Sequence, residues 1–237
     1  MDREKLTPDL KALLSEIEEA AHLRSAAERA LKARNYRTLN LMAKKGGILF
    51  TGSSLMEQFP ICEMCVSAGI LSPVYNRGIS GTTTDDFLRE IDAVLLGLAP
   101  SRVFINIGTN DMTDRVYGAG WMDHLISNYA KILSAVREHL PGTKVFCMAF
   151  YPANLHLPDD GDPGRREMLR MRTPENISEC SRRVRALAEK TGYLFIDVNA
   201  GLYDDRGELK AGYTADGVHM TAEAYRVIFD NLRPWIG

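Results

Sequence analysis

The chain has 237 residues, of which 45% are hydrophobic and 25% are charged, and its formal net charge is −2. This length fits one α/β domain with an appendage, and the composition is that of an ordinary globular protein. A nearly neutral charge gives no electric field that would attract nucleic acid or an anionic membrane, so we expect neither partner. No apolar stretch approaches the length of a membrane span, and the charged N-terminus lacks the apolar core of a signal segment. We therefore expect a cytoplasmic protein.

The first 45 residues are predicted to form a helical extension. Apolar residues recur at helical spacing over residues 7–34, and Thr7 followed by Pro8 is typical of a helix start. A second short helix is expected over 33–47, where a glycine pair ends it. Two roles remain open for this extension, which either packs on the following domain or forms a homodimer with a second copy.

From residue 46 to residue 237 the pattern changes to short apolar strands that alternate with helices, which predicts a second domain. Strands are predicted at 48–52, 73–78, 102–108, 144–152 and 193–198. Helices are predicted at 54–69 with a break at Pro60, and at 82–100, 121–142, 173–192 and 221–237, with a polar loop at 153–172. This alternation indicates a five-stranded parallel sheet in a three-layer α/β/α sandwich. Right-handed crossovers favour the flavodoxin-like strand order 2-1-3-4-5.

Four cysteines are present, and Cys62 and Cys65 form a C-x-x-C pattern. A redox or zinc role is open to such a pair, but zinc would require two further ligands at a similar spacing. Cys147 lies in a strand-like run and Cys180 in a helix-like run, and neither is paired with a histidine. We expect free, mostly buried thiols in a reducing compartment and no metal site.

Small, polar and titratable residues follow the predicted strands at four places. In a sheet of this order, ligands bind beyond the carboxyl ends of the strands, at the point where the order reverses. The four segments should therefore converge on one rim. They are Gly52-Ser53-Ser54-Leu55, the stretch 76–81, Gly108-Thr109-Asn110-Asp111 and Asp216-Gly217-Val218-His219.

This set of residue types suits acyl transfer. A serine hydroxyl is a poor nucleophile until a base removes its proton, and a carboxylate can orient a histidine for that task. Asp216 and His219 are three residues apart, close enough for one turn to bring both side chains together. Gly78 could offer an unobstructed backbone N–H and Asn110 a side-chain amide to the oxygen that becomes negative during the reaction.

The four segments resemble the sequence blocks of the SGNH hydrolase superfamily, also called the GDSL esterase/lipase family. The family's Gly-Asp-Ser-Leu block matches residues 52–55, its Gly-x-Asn-Asp block matches 108–111, and its Asp-x-x-His matches 216–219. The resemblance implies a catalytic domain over 46–237 without a metal or an organic cofactor. It implies Ser54 as nucleophile, His219 as general base and Asp216 as the residue that orients it. It also implies an oxyanion hole made by the N–H groups of Ser54 and Gly78 and the side chain of Asn110.

One position departs from the family pattern. Ser53 stands where the family has aspartate, a residue that is not the acid of the catalytic triad, so the reaction class is retained. A serine can accept some of the hydrogen bonds that hold this turn. Ser53 and His156, which lies in the loop after the fourth strand, are further candidates for substrate binding.

The sequence therefore predicts a serine esterase that forms an acyl-enzyme and acts on short-acyl, above all acetyl, esters of a small molecule or carbohydrate. A lysophospholipase or thioesterase would use the same triad. A non-catalytic ligand-binding member of the fold remains an alternative. A nucleotide- or phosphate-binding flavodoxin-like protein is disfavoured, because the chain lacks a glycine-rich phosphate loop and that function would leave Asp216 and His219 unexplained.

Overall fold

The computed structural model describes residues 7–158 and 161–236 of the chain. Its centre is a sheet of five parallel strands in the order β2-β1-β3-β4-β5, which confirms the predicted order. The strands are β1 (Ile48–Gly52), β2 (Val74–Asn76), β3 (Arg102–Asn106), β4 (Lys144–Met148) and β5 (Leu194–Ile196). The order reverses between β1 and β3, so the carboxyl ends of these two strands flank the crevice where a ligand is expected.

Helices cover both faces of the sheet, as predicted for a three-layer sandwich. They are α1 (Pro8–Met42), α2 (Ser54–Glu57), α3 (Ile61–Ser67), α4 (Thr84–Arg89), α5 (Ile91–Val94), α6 (Asp114–Tyr117), α7 (Trp121–His139), α8 (Pro163–Leu169), α9 (Pro174–Thr191) and α10 (Ala222–Ile236). Helices α1, α5, α4, α7 and α9 contact one another in that order and form one layer. Helices α3 and α10 line a shared groove on the other side. No helix within the described residues has both the length and the apolar character that a membrane crossing requires.

A row of phenylalanines ties the central strands together. Phe50, Phe104 and Phe146 are register partners on β1, β3 and β4, so they lie side by side on one face of the sheet. Their rings stack with centroid separations of 4.7 and 4.6 Å. Burying each ring stabilises the fold by roughly 2–3 kcal/mol. This packing fixes the positions of the strand ends that carry the polar segments.

The N-terminal helix α1 is continuous to Met42, so the prediction of a second short helix is wrong. No glycine or proline interrupts the pattern between Pro8 and Gly46, and one helix therefore runs through. Its start is as predicted, because the Thr7 hydroxyl accepts the N–H of Leu10 at 3.4 Å. The first half of α1 is largely exposed, whereas its second half packs against α5.

Three other predictions differ from the structure. The predicted helix at 82–100 divides into α4, α5 and a 3₁₀ turn at Leu96–Leu98. In this turn a Cβ on Gly97 would lie 2.6 Å from the Asp92 carbonyl oxygen. The loop 153–172 contains α8, which begins where the Asp162 side chain accepts the N–H of Gly164 at 2.8 Å. Strands β2, β3, β4 and β5 are all shorter than predicted.

Candidate active site

Ser54 lies in the turn where β1 ends and α2 begins. This turn requires glycine at position 52, because its φ is +154° and a Cβ there would lie 1.9 Å from the Asn106 carbonyl oxygen on β3. Ser53 is the N-cap of α2, and its carbonyl oxygen accepts two N–H groups of that helix. Ser54 is 7% exposed, so its side chain is largely enclosed at the carboxyl end of the sheet.

His219 and Asp216 approach Ser54 from the segment that precedes α10. The Nε2 atom of His219 lies 2.9 Å from Ser54 Oγ, and the Nδ1 atom of His219 lies 2.5 Å from Asp216 Oδ2. The other carboxylate oxygen of Asp216 accepts the N–H groups of Val218 and His219 at 2.9 and 2.8 Å. The structure therefore brings together the three residues that the sequence assigned to one triad.

The electrostatics of this cluster favour an ionised Asp216. Partial burial would raise the pKa of its carboxyl, but the hydrogen bonds from the His219 imidazole and from two backbone N–H groups together hold that pKa well below its usual range. An ionised carboxylate on Nδ1 fixes the imidazole tautomer whose Nε2 lone pair faces Ser54 Oγ. This arrangement can remove the hydroxyl proton and stabilise the imidazolium that results.

The three expected oxyanion donors differ in how their N–H groups are used. Ser54 is the first residue of α2, and its backbone N–H donates to no group within residues 7–158 and 161–236. The Gly78 N–H donates to Asn76 Oδ1 at 2.9 Å and is therefore already engaged. Asn110 Nδ2 donates to the Thr82 carbonyl oxygen at 3.0 Å, which leaves the second N–H of this carboxamide for another acceptor.

The Gly78 loop is held against the helix that carries Ser54. A Cβ on Gly78 would lie 2.3 Å from the backbone nitrogen of Glu57, so only glycine allows this approach. Asn76 Nδ2 donates to the carbonyl oxygens of Met56 and Phe59 at 2.6 and 3.2 Å, while its Oδ1 accepts the Gly78 N–H. Asn76 thus links the nucleophile helix to the loop of the expected oxyanion donor.

Comparison with known protein families decides the membership of the chain. The model of the GDSL-like lipase/acylhydrolase family matches residues 65–227, which is more than half of the chain. The chain belongs to the GDSL-like lipase/acylhydrolase family. As a member, it is an ester-hydrolysing serine hydrolase. The matched range contains Gly78, Asn110, Asp216 and His219, and it begins after Ser54.

Solved structures share the fold of this GDSL-like protein. A protein from Streptococcus pneumoniae, provisionally described as a platelet activating factor, is 27% identical with a TM-score of 0.80, and the match covers 95% of this chain and 99% of that one. A GDSL-like lipase from Bacteroides thetaiotaomicron is 24% identical with a TM-score of 0.69, over 86% and 96% of the two chains. The acetylxylan esterase Axe2 from Geobacillus stearothermophilus is 19% identical with a TM-score of 0.60, over 82% and 97%. No curated protein is similar enough in sequence to count as a match.

Ser53, where the GDSL-like pattern has aspartate, is buried with 1% of its surface exposed. Its side chain makes no capping hydrogen bond to α2, so the hydroxyl does not replace a carboxylate cap at this turn. Its burial leaves little surface for contact with a substrate. The structure thus buries Ser53 within the nucleophile turn, and a substrate-binding role for it stays a prediction.

His156 lies at the edge of the site, held by Glu208. Its Nδ1 is 2.9 Å from Glu208 Oε1, and its imidazole is 57% exposed whereas the Glu208 carboxylate is 3% exposed. The neighbouring Asn154 connects this segment to the triad, because its N–H donates to the Gly217 carbonyl oxygen at 2.8 Å. The ring is therefore oriented and accessible, and its role in substrate binding stays a prediction.

Sequence reasoning assigned no role to Arg172, which is 6% exposed and lies beside the site. Its Nη2 donates to Asn110 Oδ1 at 3.3 Å. No sequence signal distinguishes this arginine from the others in the polar stretch 153–172. The sequence analysis assigned no role to Asn76 either. Its position at the end of β2, two residues before Gly78, is the sequence signal that could have indicated one.

The cysteines lie outside this site. Cys62 is exposed and Cys65, Cys147 and Cys180 are buried, and all four are free. Among the residues that the structure describes, no group of three or more histidine, cysteine, aspartate or glutamate side chains is arranged to hold a metal ion.

Proposed function

We propose that this protein is a serine esterase that hydrolyses short-acyl esters, above all acetyl esters, of a small molecule or carbohydrate. The observation that carries the proposal is the 2.9 Å separation between Ser54 Oγ and His219 Nε2, with Asp216 on the other ring nitrogen. A serine hydroxyl needs such a base before it can attack a carbonyl carbon at neutral pH.

In the first half of the reaction, Ser54 Oγ attacks the ester carbonyl carbon while His219 Nε2 takes the hydroxyl proton. Asp216 stabilises the imidazolium without itself becoming protonated. The tetrahedral intermediate then collapses, His219 donates its proton to the leaving alcohol oxygen, and an acyl-Ser54 ester remains. In the second half, His219 removes a proton from water, which attacks the acyl carbon and releases the acid and Ser54.

The negative oxygen of each tetrahedral intermediate would be held by the Ser54 N–H, the Asn110 carboxamide and the Gly78 N–H. A preorganised donor of this kind typically lowers the barrier by about 3 kcal/mol. The Gly78 N–H would have to share its hydrogen bond between Asn76 and the oxyanion. We therefore assign the larger contributions to Ser54 and Asn110.

Three observations support a short acyl group and a polar alcohol. The part of the chain that the structure describes contains no separate apolar cap domain that could enclose a long acyl chain. The loop 153–172, which is rich in aspartate and arginine, would meet a polar alcohol. Axe2, which shares the fold, is an acetylxylan esterase, and one of its serine-to-alanine variants is described as a catalytic mutant.

Hydrolysis of p-nitrophenyl acetate, butyrate and octanoate tests this function. We expect the acetate to react fastest, and we expect Ser54→Ala to lower kcat by at least about 10³-fold. Ser101→Ala is the matched control, because Ser101 is exposed and lies at the opposite, amino-terminal edge of the sheet. Equal rates for wild type and Ser54→Ala would contradict the assignment, and a maximum with octanoate would contradict the short-acyl preference.

A cytoplasmic location belongs to the same proposal. The four cysteines are free, which is the state that a reducing compartment maintains. Cell fractionation with an antibody against the protein would test the location directly.

A further inference from the structure

Arg172 is a buried cation beside the candidate site. It lies between α8 and α9, 6% exposed, and its backbone N–H closes a turn onto the Leu169 carbonyl oxygen at 2.9 Å. Its guanidinium forms no ion pair with any residue in the ranges 7–158 and 161–236, and its Nε is buried without a hydrogen-bond partner there. Burying an unpaired charge and an unsatisfied donor opposes folding. Structural stabilisation therefore does not explain this side chain.

The guanidinium is charged at neutral pH and lies close to the reacting groups. Burial lowers the pKa of Arg172 to about 10, and the nearby Asp216 carboxylate opposes that shift. Arg172 interacts electrostatically with Asp216, which belongs to the proposed triad. It also donates a hydrogen bond to Asn110, which belongs to the proposed oxyanion hole.

The contact with Asn110 is specific in its direction. Arg172 Nη2 donates to Asn110 Oδ1 at 3.3 Å, and Asn110 Nδ2 donates to the Thr82 carbonyl oxygen at 3.0 Å. These two contacts together exclude a flipped carboxamide, because the flip would set Nδ2 against the Arg172 donor and Oδ1 against the Thr82 carbonyl oxygen. The second Nδ2–H of Asn110 remains able to donate to another acceptor. A cationic donor on Oδ1 also draws electron density from the amide nitrogen and strengthens that remaining N–H as a donor.

We propose that Arg172 is a positioning residue of the oxyanion hole, which acts through Asn110 by fixing its carboxamide and strengthening its donor N–H toward the tetrahedral oxyanion. This inference rests on the proposed esterase function. In this account Arg172 acts through its hydrogen bond to Asn110 and not through a contact of its own with the substrate. The positive charge reaches the reaction through the Asn110 amide, so its effect should appear in kcat rather than in substrate binding.

Arg172→Met, which keeps the length of the side chain and removes the charge, tests the inference with the neutral substrate p-nitrophenyl acetate. We expect kcat to fall about 10-fold with KM changed less than about 2-fold. The melting temperature should stay equal or rise, because an unpaired buried charge is lost. Arg172→Lys, which keeps the charge, should recover part of kcat. The matched control is Arg170→Met, since Arg170 is exposed and pairs with Asp114 and Glu167, and its kcat should remain that of wild type.

A double-mutant cycle with Asn110→Ala identifies the route of the effect. If Arg172 acts through Asn110, adding Arg172→Met to Asn110→Ala should lower kcat by less than about 2-fold further. The same 10-fold loss in both backgrounds would overturn the inference, as would an unchanged kcat or a parallel loss of kcat and melting temperature. Failure of the esterase proposal itself is distinguishable, because Ser54→Ala would then retain the wild-type rate.

Discussion

The Tyr36 hydroxyl donates a hydrogen bond to the Gly78 carbonyl oxygen, 2.9 Å away, and so joins the N-terminal helix to the loop of a proposed oxyanion donor. Lys32, on the same helix, forms an ion pair with Glu57. The Glu57 carboxylate also accepts the N–H of Ser80. These contacts hold Gly78 and Ser80, two residues further along the same loop. The second half of α1 is therefore part of the support of the site as well as an extension of the domain.

Tyr36→Phe should lower kcat toward p-nitrophenyl acetate about 3- to 10-fold, because the Gly78 carbonyl would lose its partner and the loop that carries the Gly78 N–H would loosen. Burial raises the pKa of Tyr36 to about 12, so the hydroxyl remains a donor throughout the working pH range. The loss should thus be the same at pH 6 and pH 9. Tyr203→Phe, at an exposed tyrosine, is the control. A wild-type kcat for Tyr36→Phe would show that this contact does not support the site.

Asp111 should make the folded state less stable as the pH rises from about 4 to about 6. Burial raises the pKa of Asp111 to about 6, although Thr84 donates its N–H to both carboxylate oxygens. The carboxyl is protonated in both states below about pH 4, and above that the unfolded chain releases its proton first. The free energy of unfolding should therefore fall by up to ~3 kcal/mol across this window.

Urea unfolding of wild type and Asp111→Asn between pH 4 and pH 7 measures this contribution. The stability of wild type relative to Asp111→Asn should decrease with rising pH, because the asparagine does not ionise. Asp92→Asn, at an exposed position, should show no such trend. A pH-independent difference between wild type and Asp111→Asn would contradict the raised pKa.

Ser53→Asp should keep or raise the esterase activity, since it restores the residue of the GDSL-like pattern at the N-cap of α2. A carboxylate there can accept helix N–H groups that the Ser53 hydroxyl leaves unused. Kinetics with p-nitrophenyl acetate, alongside Ser53→Ala, would measure the effect. An inactive but folded Ser53→Asp would mean that this buried turn is built differently from its relatives.

Pairing of two copies through the first half of α1 stays a prediction. Leu10, Leu13 and Ile17 recur at helical spacing and are 47, 51 and 55% exposed. An exposed apolar stripe of this kind is typical of a helix that packs against a partner helix. Light scattering should give a dimer mass for the full chain and a monomer mass for Leu13→Glu/Ile17→Glu. A monomeric wild type would contradict the pairing.

The sheet could be predicted because apolar runs and turn residues mark each strand end. Ser54 and His219 are 165 residues apart, but each lies in a strand-end segment that resembles a block of a known family. Tyr36 and Arg172 lie in no such segment, and therefore their contacts with Gly78 and Asn110 could not be predicted. Helix α8 was missed although Asp162 and Pro163 carried a usable helix-start signal.

Covalent labelling with a serine-directed organophosphorus ester, followed by peptide mass mapping, tests the central claim that Ser54 is the nucleophile activated by His219. We predict one label per chain, located on Ser54 and not on the adjacent Ser53, and strongly reduced labelling in His219→Ala. A label on Ser53, or equal labelling of wild type and Ser54→Ala, would contradict the claim.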